Sequence, residues 1–417
     1  MSRYIIEGGK RLTGEVEIHG AKNSALPILA AALLTGTSVI HNCPALSDVK
    51  AACRILSNLG CQIDQGDDYV KIDATTANYN HIPDELIAEM RSSILFLGAI
   101  LARFGQARIS YPGGCELGPR PIDLHIAGLK QLGAVINEDF GYLDCKVEGR
   151  LKGAEIFLPL PSVGATENII LAACTAQGTT TIHNAAQEPE ITDLIDFLNK
   201  CGADISTTRY NSVIINGVES LHSCEHRVIP DRIEAATYLC FAAITGGDVT
   251  LRGTNPQHLI SVLPFFKEMG CNLEIGRDTI HIRAPKRLKN LSQVKTMPYP
   301  GFPTDAQSPL MAVATVADGT SIFVENIFQS RYKQVGELAK MGAVIRTEGR
   351  MAVVEGVEVL QGAVVNATDL RSGASLVAAA LAAKGKTTVE NIKHIDRGYY
   401  HLDKNLSKLG ANIVREN

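Results

Sequence analysis

Gly36–Asn42 reads GTSVIHN and Gly178–Asn184 reads GTTTIHN. Two stretches so alike and so far apart point to an internal repeat, and a repeat governs the whole fold where it exists. The same phrase, a glycine followed by a short β-branched strand, recurs as GQARISY from Gly105, GDVTLRG from Gly247, GTSIFVEN from Gly319 and GKTTVEN from Gly385. A second phrase alternates with it, an amphipathic helix closed by glycine and followed by a new strand: ILSNLGCQI, LKQLGAVI, FLNKCGADI, FKEMGCNLEI, LAKMGAVI and LSKLGANIV. Glycine suits the end of such a helix because it enters the left-handed region without a Cβ penalty. The strand after it alternates apolar and polar residues, as in AVIRT and ADISTT. Six repeats of about 70 residues follow, each longer than the common solenoid unit and so a small subdomain in itself.

Each repeat opens with a helix of another kind. KNSALPILAAALL, MRSSILFLGAILA, GATENIILAACTA, DRIEAATYLCFAAI, TDAQSPLMAVATVA and RSGASLVAAALAA are small and apolar around most of their circumference. A helix apolar all round is a buried one, so every repeat predicts one hidden and one exposed helix. Two groups of three repeats, with hidden helices inside and strands outside, make an α/β architecture. Polar residues on the hidden helices gather at their N-terminal ends: Lys22 and Asn23, Arg91 and Ser92, Thr166, Asp231 and Arg232, Asp305, Arg371 and Ser372. Those ends present unpaired N–H groups and the positive pole of the helix dipole. Ser, Thr and Asp are ordinary caps there. Lys22, Arg91, Arg232 and Arg371 are cations where the dipole disfavours them, and an anionic ligand would resolve the mismatch.

The totals narrow the field. At 417 residues the chain exceeds one ordinary core of about 150 residues. A net charge of −4 lacks the basic field of a nucleic-acid protein. The longest apolar runs, such as ALPILAAALL, fall short of the ~20 residues that span a bilayer, and the N-terminus carries no signal-like segment. Ten cysteines are scattered without a CxxC pair, which suits a reducing, cytoplasmic setting. Eleven histidines form no HxH pattern, and neither a P-loop nor GxGxxG occurs, so no metal and no nucleotide cofactor is expected.

Two segments carry candidate chemistry. YPGGCELGPRPIDLH, from Tyr111 to His125, surrounds Cys115 with glycines and prolines, in the kind of loop that carries function. Arg120 would lower the thiol pKa and Glu116 would raise it. A phosphatase-like cradle fails on spacing: Cys115 and Arg120 enclose four residues, one too few, and Pro119 has no amide hydrogen. A redox role would need a resolving cysteine, and none is near in sequence. In MPYPGFPTDAQSPL, Thr304 and Gln307 match a capping box, which makes Asp305 a partner of the helix dipole. Pro298, Pro300 and Pro303 stiffen the approach, which suits a carboxylate held as a general base. Both readings stand. Arg331 in FQSRYKQ and Arg397 in HIDRGYY follow the β-branched strands of their repeats. A single loop arginine is usually solvent-exposed, but the matching places make both candidates.

The six repeats, together with GAKNSALP, PGGCELGPRPIDLH, SVGATENI, PYPGFPTDAQSP and RYKQVGELAKMGA, resemble the enolpyruvyl transferase family over essentially the whole chain, in the branch that acts on UDP-N-acetylglucosamine. The resemblance implies a two-domain inside-out α/β barrel. Residues 21–229 would form the domain with the Cys115 loop, and residues 1–20 plus 230–417 the second, with the active site in the cleft between them and the second crossing near Val228 to Asp231. It implies transfer of the 1-carboxyvinyl group of phosphoenolpyruvate to the sugar's 3′-hydroxyl with loss of phosphate. That is the first committed step of peptidoglycan synthesis, and so serves cell wall biogenesis, cell shape and cell division. Partners would be these small molecules, with no cofactor, nucleic acid or membrane.

Carried over by motif, Lys22 and Asn23 would meet phosphoenolpyruvate, Arg120 and Arg397 would clamp its phosphate, and Arg331 and Arg371 would meet its carboxylate or the closed cleft. Arg91, Arg120, Pro121, Ile122, Asp123, Leu124, Ser162, Val163, Gly164, Asp305 and the backbone of Ile327 would hold the UDP-sugar. Asp305 would accept the hydroxyl proton. Cys115 would protonate the vinyl methylene, could bond covalently to phosphoenolpyruvate, and would ride on a lid that closes over the substrates. Several cations suit a dianionic phosphate. Leu160 and Pro161 replace a lysine that some members carry before SVG. Cys115, where resistant members have aspartate, implies sensitivity to fosfomycin. The shikimate branch shares the repeats but has a different N-terminal lysine motif and lacks the loop cysteine. A non-catalytic relative would not need Lys22, Cys115, Asp305 and Arg397 together.

Overall fold

The β-branched phrase forms a strand in every repeat, at Thr37–His41, Gln106–Ser110, Thr179–His183, Asp248–Arg252, Thr320–Val324 and Lys386–Glu390. Thr, Val and Ile fit a pleated surface buried on one side. The structure, a computed structural model, describes residues 2–111 and 122–416. Within these, the strands fall into six sheets. Each of the six strands pairs antiparallel on one side. Five pair parallel on the other. In the sheet of Gln106–Ser110 the parallel neighbour shrinks to one bridge between His81 and Arg108.

The amphipathic helices lie at Ser47–Asn58, Asp123–Gln131, Pro189–Lys200, Leu263–Glu268, Gln334–Lys340 and Leu402–Lys408. Their closing glycines, Gly60, Gly133, Gly202, Gly270, Gly342 and Gly410, all have φ between 90° and 95°. That conformation strains any residue with a Cβ, so the glycine signal in the sequence has a backbone cause.

The hidden helices are buried as their composition predicts. Every residue of Lys22–Ala32 except Asn23 is buried, and so is all of Arg232–Ile244. Val163–Ala173 and Thr304–Ala314 follow suit past their first turns, and Leu370–Ala382 does so up to Leu381. The helix expected from Arg91 differs: a 3₁₀ turn at Arg91–Leu95 precedes the α-helix Phe96–Phe104. Serines compete with helical hydrogen bonding through their own hydroxyls, and Ser93 Oγ donates to the Ile87 carbonyl at 3.4 Å. Thr166 is not at a helix end either. Its helix starts at Val163, capped by Ser162, and the Thr166 hydroxyl accepts from Ala186 N at 3.1 Å.

The chain divides into two compact units. The middle unit comprises residues 20–111 and 122–229, and the terminal unit residues 2–19 and 230–416. Three sheets belong to each. In the terminal unit the three hidden helices each pack on the other two, and Leu239, Met311 and Val377 sit in one apolar core with the sheets around it. This is the inside-out α/β arrangement. The last repeat lacks one strand of its own, and the chain start supplies it: Arg3–Glu7 lies antiparallel between Lys386–Glu390 and Asn412–Glu416. Thr13–Glu17 adds a parallel edge to Asp248–Arg252.

Among the described residues the chain passes between units at residues 19–20 and 229–230. Gly20 goes with the middle unit because it lies against Asn42, where a Cβ would stand 1.6 Å from the Asn42 carbonyl oxygen. Among the described residues no helix is long and apolar enough to cross a membrane.

Candidate active site

In the middle unit, Lys22 opens its helix with no side-chain cap before it. Its Nζ meets Asp48 Oδ2 at 3.1 Å, and both residues are buried. Asp48 stands in the first turn of Ser47–Asn58, where a carboxylate is favoured. The cation that seemed misplaced at a dipole's positive end therefore has a protein carboxylate beside it. Asn23 follows, half-buried. Ser24 donates to Asp193 Oδ2, which also accepts from Ile229 N at 3.2 Å, while Asp193 Oδ1 bonds His226 Nε2 at 2.8 Å. The start of this helix is thereby tied to the helix Pro189–Lys200 and to the strand Glu225–Arg227.

Three predicted sugar-binding segments converge on Asn168, a buried residue that sequence reading passed over. Its side-chain oxygen accepts from Gly98 N at 2.6 Å, and its nitrogen donates to the Ile94 carbonyl at 2.9 Å and to His125 Nδ1 at 3.0 Å. Ile94 belongs to the turn that Arg91 begins, and His125 to the helix that Asp123 and Leu124 begin after buried Ile122. Gly164 lies against the His125 ring, where a Cβ would meet Cε1 at 3.1 Å. Ser162 caps the helix that Val163 and Gly164 enter, its hydroxyl accepting from Ala165 N at 3.4 Å. Next to Asn168, Glu167 is fully buried; desolvation first, then Glu190 and Glu188, push its carboxyl well above the usual range. Cys115, Arg120 and Pro121, and with them the expected lid, lie outside the described residues.

In the terminal unit, Asp305 is the second residue of Thr304–Ala314. Its Oδ1 receives Arg331 Nη2 at 2.9 Å and stands 3.6 Å from Arg371 Nε. Arg331 also donates to the Thr304 carbonyl from Nε at 3.3 Å and from Nη2 at 2.9 Å. The side chains of Arg331 and Arg371 are 1% and 4% exposed, that of Asp305 31%. Two guanidiniums thus back a carboxylate that reaches outward. Arg331 is not the solvated loop arginine its context suggests, because the carbonyl and carboxylate at the helix start give its donors partners away from water.

The expected capping box does not form. Pro303 is the N-cap and makes no side-chain bond. Thr304 instead donates to Glu325 Oε2 at 2.9 Å. Glu325, 1% exposed, also accepts from Thr296 at 3.0 Å, Ile327 N at 2.7 Å and Phe328 N at 2.9 Å. A buried carboxylate that needs donors outcompetes the local cap. It also takes the Ile327 N–H, so among the polar backbone groups of Ile327 only the carbonyl keeps the expected sugar-binding part.

Arg371 enters Leu370–Ala382 behind Asp369, which accepts from Arg371 N and Ser372 N at 3.0 Å each. Its Nη1 donates to the Tyr399 hydroxyl at 3.0 Å, and the guanidinium lies 5.4 Å from the centre of that ring. Burial opposes the charge on Arg371, but Tyr399, Asp305 and Asp231 outweigh it and raise the pKa. Tyr399 also shares a 2.9 Å bond with Thr237. Asp231 caps Arg232–Ile244, and Arg232 stands over Tyr299 at 5.5 Å. Arg397 ends the 3₁₀ turn Ile392–Arg397, half-buried. The residues missed in sequence are Asp48, Asn168, Glu325 and Tyr399. Only Tyr399, two places from Arg397, carried a positional hint.

A family model described as EPSP synthase (3-phosphoshikimate 1-carboxyvinyltransferase) matches residues 6–406. The UDP-N-acetylglucosamine 1-carboxyvinyltransferase 1 of Symbiobacterium thermophilum is 53% identical over 99% of this chain and 95% of its own. The UDP-N-acetylglucosamine 1-carboxyvinyltransferase 2 of Caldanaerobacter subterraneus subsp. tengcongensis is 52% identical over the full length of both. Among solved structures, the enolpyruvyl transferase NikO from Streptomyces tendae aligns with a TM-score of 0.91 and 26% identity over 100% of this chain and 99% of that one. An EPSP synthase from Acinetobacter baumannii, at 21% identity and a TM-score of 0.78 over both full chains, shares the fold. With the repeats, the inside-out architecture and the full-length relatives in agreement, the chain belongs to the enolpyruvyl (1-carboxyvinyl) transferase family, alongside the UDP-N-acetylglucosamine 1-carboxyvinyltransferases.

Proposed function

We infer that the protein transfers the 1-carboxyvinyl group of phosphoenolpyruvate to the 3′-hydroxyl of UDP-N-acetylglucosamine and releases inorganic phosphate, a step of peptidoglycan synthesis. At the residue level the reading rests on one observation, the Asp305 carboxylate oriented by the buried guanidiniums of Arg331 and Arg371. The reaction needs a base fixed toward an alcohol and cations around a dianionic phosphate.

Cys115 delivers a proton to the methylene carbon, which leaves an oxocarbenium-like centre at the neighbouring carbon. The 3′-hydroxyl oxygen attacks that centre while Asp305 takes its proton. Loss of phosphate and of one methyl proton restores the vinyl group. Lys22, Asn23, Arg120 and Arg397 bind phosphoenolpyruvate. Arg331 positions Asp305, and Arg371, whose Nε has no hydrogen-bond partner among the described residues, turns to the substrate carboxylate. Arg91, Arg120 to Leu124, Ser162 to Gly164 and the Ile327 carbonyl hold the sugar nucleotide. The links through Asn168 support grouping three of these segments. The proposed residues come from both compact units. The described cysteines are free thiols, which supports a reducing cytoplasm as the place of the reaction.

Phosphate release from phosphoenolpyruvate, measured with the purified chain, tests the assignment. Release is expected with UDP-N-acetylglucosamine and not with shikimate 3-phosphate. The reverse pattern would move the chain to the other branch, and no release with either would make it a binding protein.

A further inference from the structure

Cys201 and Cys224 lie 23 positions apart in sequence, yet their sulfurs are 3.1 Å apart. Cys201 directly follows the helix Pro189–Lys200, and its carbonyl accepts from His222 N at 2.8 Å. Cys224 directly precedes the strand Glu225–Arg227, and its carbonyl accepts from Val39 N at 3.1 Å. Both backbone segments are held where they are by bonds that do not involve the thiols. A disulfide needs its sulfurs at about 2.05 Å, so closure asks for a movement of about 1 Å.

The environment suits one of the two as the nucleophile. Cys224 is half-buried and reachable, while Cys201 is buried. The hydrogen bond from Cys201, and after it the Lys200 ammonium, pull the Cys224 thiol below its ordinary value; the same bond, with burial, pushes Cys201 up. The other described thiols are pushed up, chiefly by burial, and so are poor nucleophiles.

We propose that Cys201 and Cys224 form a redox-modifiable dithiol, which a peroxide converts to an intramolecular disulfide and a thiol reductant restores. The Cys224 thiolate attacks one peroxide oxygen. The O–O bond breaks, Cys224 becomes a sulfenic acid, and the departing hydroxide recovers the proton that Cys224 had lost, giving water. The Cys201 sulfur then attacks the Cys224 sulfur. The S–O bond breaks, and hydroxide leaves with the Cys201 proton as a second water. Two thiols lose one electron each and hydrogen peroxide gains two. In a reducing compartment such a pair stays a dithiol and closes only under oxidant.

The test uses the full wild-type chain, so it does not depend on a variant folding. The protein is treated with a few equivalents of hydrogen peroxide, denatured, alkylated and digested without reductant. Mass spectrometry should find a peptide pair joined through Cys201 and Cys224, two hydrogens lighter than its parts, that vanishes after dithiothreitol. Cys201→Ser should lose the joined pair and carry Cys224 on to the sulfinic acid. Recovery of both cysteines as alkylated thiols while Cys115 is oxidised would overturn the proposal. So would a joined pair that links Cys224 to any other cysteine.

Discussion

Tyr399→Phe isolates one buried hydroxyl. The ring remains, and with it the guanidinium contact of Arg371 at 5.4 Å, so no cavity opens. What disappears is the acceptor for Arg371 Nη1 at 3.0 Å and the partner of Thr237 at 2.9 Å. Thr237 keeps the Ile233 carbonyl at 2.8 Å and is not stranded. Arg371 fares worse, since its Nε already lacks a hydrogen-bond acceptor among the described residues and its side chain is only 4% exposed. A hydrogen bond to a charged group contributes about 1.5–3 kcal/mol, and water cannot take the empty place. For a unit of about 200 residues each kcal/mol moves the melting temperature by ~2–4 °C, so a fall of about 3–12 °C is expected. Scanning calorimetry reads it directly. The same guanidinium backs Asp305 at 3.6 Å. Its loosening should therefore lower kcat/KM for phosphoenolpyruvate by about tenfold, the equivalent of 1.4 kcal/mol. A melting temperature within about 1 °C of wild type together with unchanged kcat/KM would show that this hydroxyl does not hold Arg371.

Asp305→Asn should cut kcat by about 10²–10⁴-fold while calorimetry shows UDP-N-acetylglucosamine still binding, because the amide oxygen can still accept from Arg331. A kcat within about fivefold of wild type would remove Asp305 from the role of base. Glu167 is held well above its ordinary value of 4.5, so the folded state keeps a proton that the unfolded chain gives up as pH rises past that value, and stability falls from there upward. Glu167→Gln removes the slope: its urea midpoint should gain on wild type between about pH 5 and about pH 8, and parallel profiles would contradict the burial argument. Fosfomycin should inactivate the wild type with a single adduct on Cys115 and spare Cys115→Asp; full activity under excess drug would speak against a reactive thiol there.

Where a single residue decides a conformation, the sequence is a sufficient guide. The six glycines with φ from 90° to 95° mark six helix ends because any Cβ would be strained there. Helices without a polar face are buried because no face could meet water, and Lys22–Ala32 and Arg232–Ile244 follow that rule. Lys22 and Arg371 stood out because cations at the starts of such helices need a reason, and Asp305 because three prolines stiffen the approach to it. What they bond to was not legible. Thr304 and Gln307 satisfy a capping pattern within four residues, yet Glu325, 21 positions away, takes Thr304 instead.

The sequence by itself determined the repeat, the two kinds of helix, the glycine-closed ends and the set of residues worth suspecting. The tertiary structure decided their partners. Arg331 reads as a surface residue until the start of the helix Thr304–Ala314 surrounds it with acceptors and leaves it 1% exposed. Cys201 and Cys224 read as two scattered thiols until a helix end and a strand start bring their sulfurs to 3.1 Å. Backbone preference is a property of one residue and its Cβ. The burial of a charge or the pairing of two thiols depends on which distant groups share the space, and only the folded chain fixes that.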